Sequence, residues 1–361
     1  MGSAYGAPHI ASSGRVSDAI VRVGQVGLGY WGPNLLRNMT ALPHAQVVAV
    51  ADLDPRRLAE EGGRSLWTTL DYRELLDSSA IDAVVISTPA ALHARMAGEA
   101  LEAGKHVLVE KPLAMTVEEG ARLVELADRR GLVLMVGHTF LYNAAVRRLK
   151  TYLQDGDLGE VFYIYAQRLN LGRVRHDVNA LWNFAPHDVS IILYLLEQEP
   201  VEVSARGFAY LQPDIQDVVF MTLVFPGNIS AHVHISWLDP HKVRKMTIVG
   251  SRKMALYDDV STDARIVLYD RGVDRVPTAD SPRDFTTFAE FQLRLRRGDV
   301  TIPALEFPEP LQLECQHFVD CIRHGRPPLT DGRHGLDVVR VLAAAQQSIS
   351  DCGRAVPIER Q

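Results

Sequence analysis

The sequence predicts two structural units, an α/β unit with a parallel sheet and then an α+β unit with a large, mainly antiparallel, open-faced sheet. Three observations lead there. Residues 21–137 alternate short β-rich runs with helical patterns, which builds a parallel sheet with helices on both faces. Inside that stretch, Val21 to Asp52 carries glycines in G-x-G-x-x-G spacing between a strand and a helix. Residues 201–269 read instead as successive strands parted by turn signals such as Pro226-Gly227-Asn228 and Asp239-Pro240, which suits hairpin-linked antiparallel pairing. A chain of 361 residues is long enough for two cores. The expected boundaries are a disordered arm over 1–19, a first domain over 20–140 and a second over 141–361.

In the first domain the expected strands are 21–26, 46–51, 82–87, 106–110 and 132–137. The expected helices are 32–40, 55–62, 72–77, 90–103 and 117–130. Each part of the opening βαβ unit has a physical job. Gly27 permits the tight strand-to-helix turn, Gly29 lets the backbone approach a pyrophosphate, and Gly32 lets helix and strand pack closely. The pyrophosphate would sit on the free N–H groups at the helix start, and Asp52 would bond an adenosine ribose. The other residues at the ligand-binding ends of the strands are Ser87-Thr88-Pro89, Glu110-Lys111-Pro112 and Gly137-His138. A 2′-phosphate about 4 Å from Asp52 would meet roughly 4 kcal/mol of repulsion per unit charge at an effective dielectric of 20. Arg56 and Arg57 could offset part of it, so NAD is favoured over NADP.

The second domain opens with an expected helix over 143–154, a strand near 160–169 and an apolar helix over 186–196. Pro186 then falls in the first turn of that helix. Strands follow at 201–210, 216–225, 229–237, 243–249 and 253–257. Segment 271–309, rich in Arg, Asp and Pro, reads as a long surface loop. Helices over 310–324 and 335–350 close the chain.

Composition narrows the function classes. A net charge of −6 and a pI near 6.1 argue against a general nucleic-acid binder. Three cysteines without C-x-x-C spacing support neither a disulfide framework nor a zinc site, and suit a reducing cytoplasm. No signal peptide and no apolar run of membrane-spanning length is apparent.

Two residues stand out chemically. Lys111, at a strand end beside the cofactor crevice, can lose basicity on desolvation and serve as a general acid or base. It could equally be a surface lysine beside a turn proline. His187 could hydrogen-bond a substrate hydroxyl, or be a helix-end histidine satisfied by backbone. Asp188 beside it is read as a helix-dipole partner. Arg168, Asn170, Arg173, Arg175, His176 and Asn179 form a polar cluster that could bind sugar hydroxyls or a phosphate, or be a solvated loop. His232 and His234 share one strand face but lack a third metal ligand, and no metal is expected.

Taken together, these motifs resemble the Gfo/Idh/MocA family of nicotinamide-dependent oxidoreductases. The resemblance runs from about Val21 to Ser350. It rests on Val-Gly-Leu-Gly-Tyr30-Trp31-Gly32, Ser87-Thr-Pro-Ala-Ala-Leu-His93, Gly104-Lys-His-Val-Leu-Val-Glu-Lys-Pro112 and Asn179 to Asp188. It implies a Rossmann domain and NAD as cofactor. Lys111 becomes the proton-transfer residue and His187 its partner at the substrate hydroxyl. Tyr30, Trp31, Thr88, Pro89, His93 and Glu110 would line the cofactor site, and Arg168, Asn170, Asn179 and Asn183 would contact substrate. Many members carry Asp where this chain has Asn183; an amide cannot take a proton near neutral pH. Gly137 to Asn143 and Arg168 to His187 most resemble a branch acting on nucleotide-activated sugars, including antibiotic-sugar pathways. The resemblance also implies a homo-oligomer, dimer or tetramer. The alternatives are an inositol or free-sugar dehydrogenase, and a non-catalytic nucleotide-binding regulator.

Overall fold

A computed structural model describes residues 19–60, 66–172, 174–277 and 291–358; most of the expected N-terminal arm lies outside the described residues. The first sheet is built from β1 (Val21–Val26), β2 (Ala45–Ala51), β3 (Trp67–Thr69), β4 (Ala83–Ile86), β5 (His106–Glu110) and β6 (Leu134–Gly137). All pairs are parallel, and the order is β3-β2-β1-β4-β5-β6. Their buried, β-branched runs need cover on both faces. Part of that cover comes from α1 (Gly32–Thr40), α2 (Pro55–Glu60), α3 (Arg73–Asp77), α4 (His93–Glu102) and α5 (Val117–Arg130). The α5 ends follow simple capping rules, with Thr116 accepting from Glu119 N–H at one end and Gly131 left-handed at the other. The three-residue β3 was missed in the sequence because so short a run has no measurable alternation.

The chain then passes through α6 (Ala144–Gln154) into β7 (Val161–Leu169) and α7 (Ala180–Leu196). Next come β8 (Glu202–Phe208), β9 (Val218–Phe225), β10 (Ile229–Ser236), β11 (Val243–Gly250), β12 (Met254–Asp258), β13 (Ile266–Pro277) and β14 (Phe291–Thr301). The chain closes with α8 (Pro310–His324), α9 (Gly332–Ser350) and β15 (Val356–Pro357). These strands form a nine-stranded sheet, β14-β13-β12-β11-β7-β10-β9-β8-β15, antiparallel except for β7 beside β10. α7 packs on β7, β9 and β10, burying one face. The opposite face exposes Tyr163, Phe208 and Phe220. Among the described residues no helix is long and apolar enough to cross a membrane.

Two expectations need correcting. Segment 271–309 is not simply a loop: β13 runs into it from Ile266 and pairs antiparallel with β14. Ile266 and Leu268 at the start of β13 are buried, but Val273 and Leu295 opposite it are exposed, so no buried face marked the part beyond residue 271. α7 begins six residues earlier than expected, capped by Asn179, whose side chain accepts from Trp182 N–H. Pro186 is therefore interior to the helix.

Candidate active site

The glycine loop is held from below. The buried Gln25 amide donates to the carbonyls of Gly27 (3.2 Å) and Gly32 (3.1 Å), and Ser87 Oγ donates to Gly27 O at 2.8 Å. The three glycines have different reasons. Gly27 has φ +93°, open to glycine at little cost. A Cβ on Gly32 would collide with the Gly27 carbonyl. A Cβ on Gly29 would point into open space, its nearest neighbour Arg57 Nη1 at 3.9 Å. The first position thus serves the turn, the last serves packing, and Gly29 leaves room for a ligand. α1 carries no side-chain cap, but Pro33 has no N–H and Asn34 and Leu35 donate theirs to Trp31 O, so it is the loop N–H groups up to Gly32 that can receive a phosphate. Asp52 accepts from Leu28 N–H at 2.7 Å and from Asp54 N–H at 2.8 Å, with Arg57 Nη1 at 3.4 Å. Tyr30 is exposed and Trp31 borders exposure at the loop's rim. These features fit a dinucleotide.

At the other end of the crevice β5 delivers Glu110 and Lys111, and the Lys111–Pro112 peptide is cis. His93 does not face the crevice. It is buried, with Nδ1 2.7 Å from Pro112 O and Nε2 2.9 Å from Thr88 O. It ties the turn after β4 to the turn that carries Lys111. Thr88 and Pro89 lie beside it, with Thr88 Oγ1 3.5 Å from Met96 Sδ.

Lys111 Nζ donates to Asn183 O, on α7, at 3.0 Å. Pro186 supplies no N–H and crowds the carbonyl a turn earlier, so the ladder is opened beside the carbonyl that receives Lys111. Asn183 therefore meets Lys111 through its backbone. Burial lowers Lys111 to a pKa of about 8, opposed by the Glu110 charge and assisted by Arg168 and Arg175. Glu110 moves the other way, to about 7, because burial outweighs the neighbouring Lys111.

One helical turn beyond Asn183, His187 packs edge-on against Phe140, ring centroids 5.0 Å apart. Its Nδ1 is buried without a protein partner. Burial, reinforced by Lys111, Arg168, Arg244 and His138, holds its pKa well below 6.5. The site thus combines a neutral imidazole having an uncommitted nitrogen with an ammonium that titrates near physiological pH.

Arg168, on β7, is not an open substrate ligand. Its guanidinium is buried in a bidentate pair with Asp188 (2.7 and 3.1 Å) and lies 4.7 Å over the Phe140 ring. This corrects the reading of Asp188, which sits inside α7 and binds Arg168. Sequence reasoning also missed Phe140 and the group of Arg244, Tyr257 and Asp259. Arg244 Nη1 reaches Asp259 at 3.2 Å and the Tyr257 hydroxyl donates to it at 3.0 Å. Only a register linking β7, β11 and β12 brings these together.

The remaining polar candidates fall into two groups. Asn179 caps α7 and gives its amide to Gln216 and Gln346, so it is engaged structurally. Asn170 lies at the end of β7, Arg175 pairs with Asp177, and His176 contacts Gln212; these line the loop beside the site. Arg173 lies outside the described residues. His232 and His234 stack on Tyr165 and Phe220 on the open sheet face.

Two family models match the chain. Residues 21–138 match the model of an oxidoreductase family with an NAD-binding Rossmann fold. Residues 146–256 match the GFO/IDH/MocA C-terminal domain. The chain is 29% identical to UDP-N-acetylglucosamine 3-dehydrogenase of Acidithiobacillus ferrooxidans, covering 91% of this chain and 96% of that one. A solved structure of that enzyme superposes with a TM-score of 0.75 at 26% identity, covering 91% and 97% of the two chains. The chain is also 27% identical to scyllo-inositol 2-dehydrogenase (NAD(+)) of Bacillus subtilis, over 86% and 88%.

Proposed function

Because the chain belongs to the Gfo/Idh/MocA oxidoreductase family, we propose that it interconverts a secondary hydroxyl and a ketone on a nucleotide-activated sugar. NAD is the cofactor, held by Gly27, Gly29, Gly32 and Asp52 along the first sheet. Bound NAD supplies the hydride acceptor, and its reduced form the donor. The observation that carries the reading is Lys111: desolvated, tuned to about 8, and held against α7 one turn from His187.

In the oxidation direction neutral Lys111 takes the hydroxyl proton, and in reduction its ammonium returns one to the ketone oxygen. His187 stays neutral and orients the oxygen through Nδ1. Asn183 contributes a carbonyl that aims the amine, so proton transfer does not require an acid at that position. Asp188 holds the Arg168 guanidinium in place, and the guanidinium charge adds to burial in lowering Lys111. Lys111 thereby loses basicity without meeting a second mobile proton carrier.

Likeness to a UDP-N-acetylglucosamine 3-dehydrogenase favours a nucleotide-linked substrate. An inositol dehydrogenase is the second reading, favoured by the relative from B. subtilis. We place the reaction in the cytoplasm, in a homo-oligomer joined through the exposed face of the nine-stranded sheet.

The experiment is NADH formation with nucleotide sugars, free sugars and inositols, with mass spectrometry of keto products. Turnover of a nucleotide sugar, lost in Lys111→Ala by about 10²- to 10⁴-fold, is the expected result. Turnover of inositols alone would select the second reading. Near-normal turnover by Lys111→Ala would overturn the assignment of the base.

A further inference from the structure

Phe140, in the short turn Thr139–Tyr142 after β6, joins His187 to two cations. His187 packs edge-on against its ring, with centroids 5.0 Å apart. The guanidinium carbons of Arg168 and Arg244 lie 4.7 and 6.0 Å from the same ring centroid. The two arginines are direct cross-strand partners on β7 and β11, so they leave the sheet side by side on one face. They are held differently. Arg168 is buried and gives Asp188 two hydrogen bonds, matching its charge with one carboxylate. Arg244 keeps 37% of its side chain exposed and gives Asp259 one hydrogen bond, Nη1 to Oδ2 at 3.2 Å.

Asp259 has more donors than a single ion pair would bring. Its Oδ1 accepts from the Tyr257 hydroxyl at 3.0 Å and from the Asn143 amide at 3.3 Å, and stands 3.7 Å from Arg265 Nη1. Arg265 also donates to the Asp259 carbonyl and lies 4.0 Å over the Phe307 ring. Two guanidinium groups therefore lean on one carboxylate, and among the described residues neither has a second acidic partner. One positive charge is left over. Arg244 carries it toward Phe140 and His187, and its charge helps to keep that imidazole neutral. Tyr257 and Asn143 fix Asp259, and Asp259 fixes Arg244 before any ligand arrives.

A half-exposed cation thus stands one aromatic ring away from the imidazole assigned to the substrate oxygen. One sugar ring spans the same gap. A pyranose with its reacting hydroxyl at His187 can direct a substituent from the far side of its ring toward Arg244. We propose that Arg244 is a specificity residue that takes an oxyanion borne by the sugar substrate. Two groups supply that chemistry: a carboxylate on the sugar ring, and the phosphate that links the sugar to a nucleotide. Both accept the planar fork of a guanidinium.

The inference rests on the hydroxyl–ketone reading, because His187 marks the reacting end. Binding tests it without turnover. The protein saturated with NADH is titrated by calorimetry with UDP-N-acetylglucosamine, with its uronic-acid counterpart, with UDP and with neutral myo-inositol. Arg244→Met keeps the stem and removes the charge. It should weaken binding of an anionic probe by about 10- to 150-fold, the loss of one hydrogen bond to a charged group. Arg244→Lys, which keeps the charge but not the fork, should recover part of that loss. Equal losses for UDP-N-acetylglucosamine, the uronic acid and UDP would identify the phosphate as the bound group. A loss confined to the uronic acid would identify the ring carboxylate. Unchanged affinities for all three anionic probes would overturn the proposal, as would a wild-type protein that binds none of them. Should Arg244→Met not fold, Arg244→Gln takes its place in the same titrations. Binding that depends on Arg244, with no keto product from any bound sugar, would leave the anion subsite standing and sink the hydroxyl–ketone reading.

Discussion

Replacing Gly29 and Gly32 separately by alanine should divide the cost of binding from the cost of folding. At Gly32 the new methyl meets the Gly27 carbonyl, a backbone atom that cannot rotate away. Overpacking of that kind destabilises by about 1–3 kcal/mol. At Gly29 the methyl meets no atom closer than Arg57 Nη1 at 3.9 Å. The fold should then lose nothing, and reduced freedom of the unfolded chain could add about 0.4–1 kcal/mol. The methyl does occupy the space through which a pyrophosphate reaches the loop N–H groups up to Gly32. Losing one hydrogen bond to a charged group costs about 1.5–3 kcal/mol, or about 10- to 150-fold in affinity. Urea unfolding gives the stabilities, and titration with NADH by calorimetry gives the affinities. A Gly29→Ala protein that binds NADH as wild type does would refute the cradle assigned to this loop. One that loses more than about 1 kcal/mol of stability would refute the claim that the space is free.

Two further outcomes follow from the site. Oxidation needs the neutral Lys111 amine and reduction needs the ammonium. Rates should therefore rise with pH through about 8 in the first direction and fall over the same window in the second; parallel profiles in the two directions would count against Lys111. Asp188→Ala leaves the Arg168 guanidinium buried and unpaired, which should destabilise by about 3–5 kcal/mol. Replacing both by apolar residues should recover most of that in urea unfolding, and a single-variant loss below about 1 kcal/mol would mean that Arg168 finds another partner.

Much of the first unit was legible in the sequence because its signals are local. Gly27, Gly32 and Asp52 sit within one βαβ segment, and Glu110-Lys111-Pro112 directly follows a strand. The second unit was harder for a physical reason. Asp188 belongs with Arg168, 20 residues away on another element, and Asp259 with Arg244 across a strand pair. Neither pairing has a period to read. The start of α7 was missed because Pro186 was read as a boundary, when Asn179 supplies the stronger capping signal. His93 looked like a cofactor contact from its place in the motif; only coordinates reveal that both ring nitrogens are turned inward.

The return of the chain after the second sheet has a practical consequence. α8 packs on α1, and α9 packs on α5 and β6. Thr330 O accepts from Val136 N–H, and Glu309 grips Arg37 and Asn38. A chimera joined only near residue 140, carrying the dinucleotide half of one relative and the substrate half of another, would therefore mismatch the helices that cover the first sheet. Exchange of specificity between relatives should succeed when α8 travels with the dinucleotide half and α9, which also packs on α7 and β8, matches both halves, so the dinucleotide half is a discontinuous module.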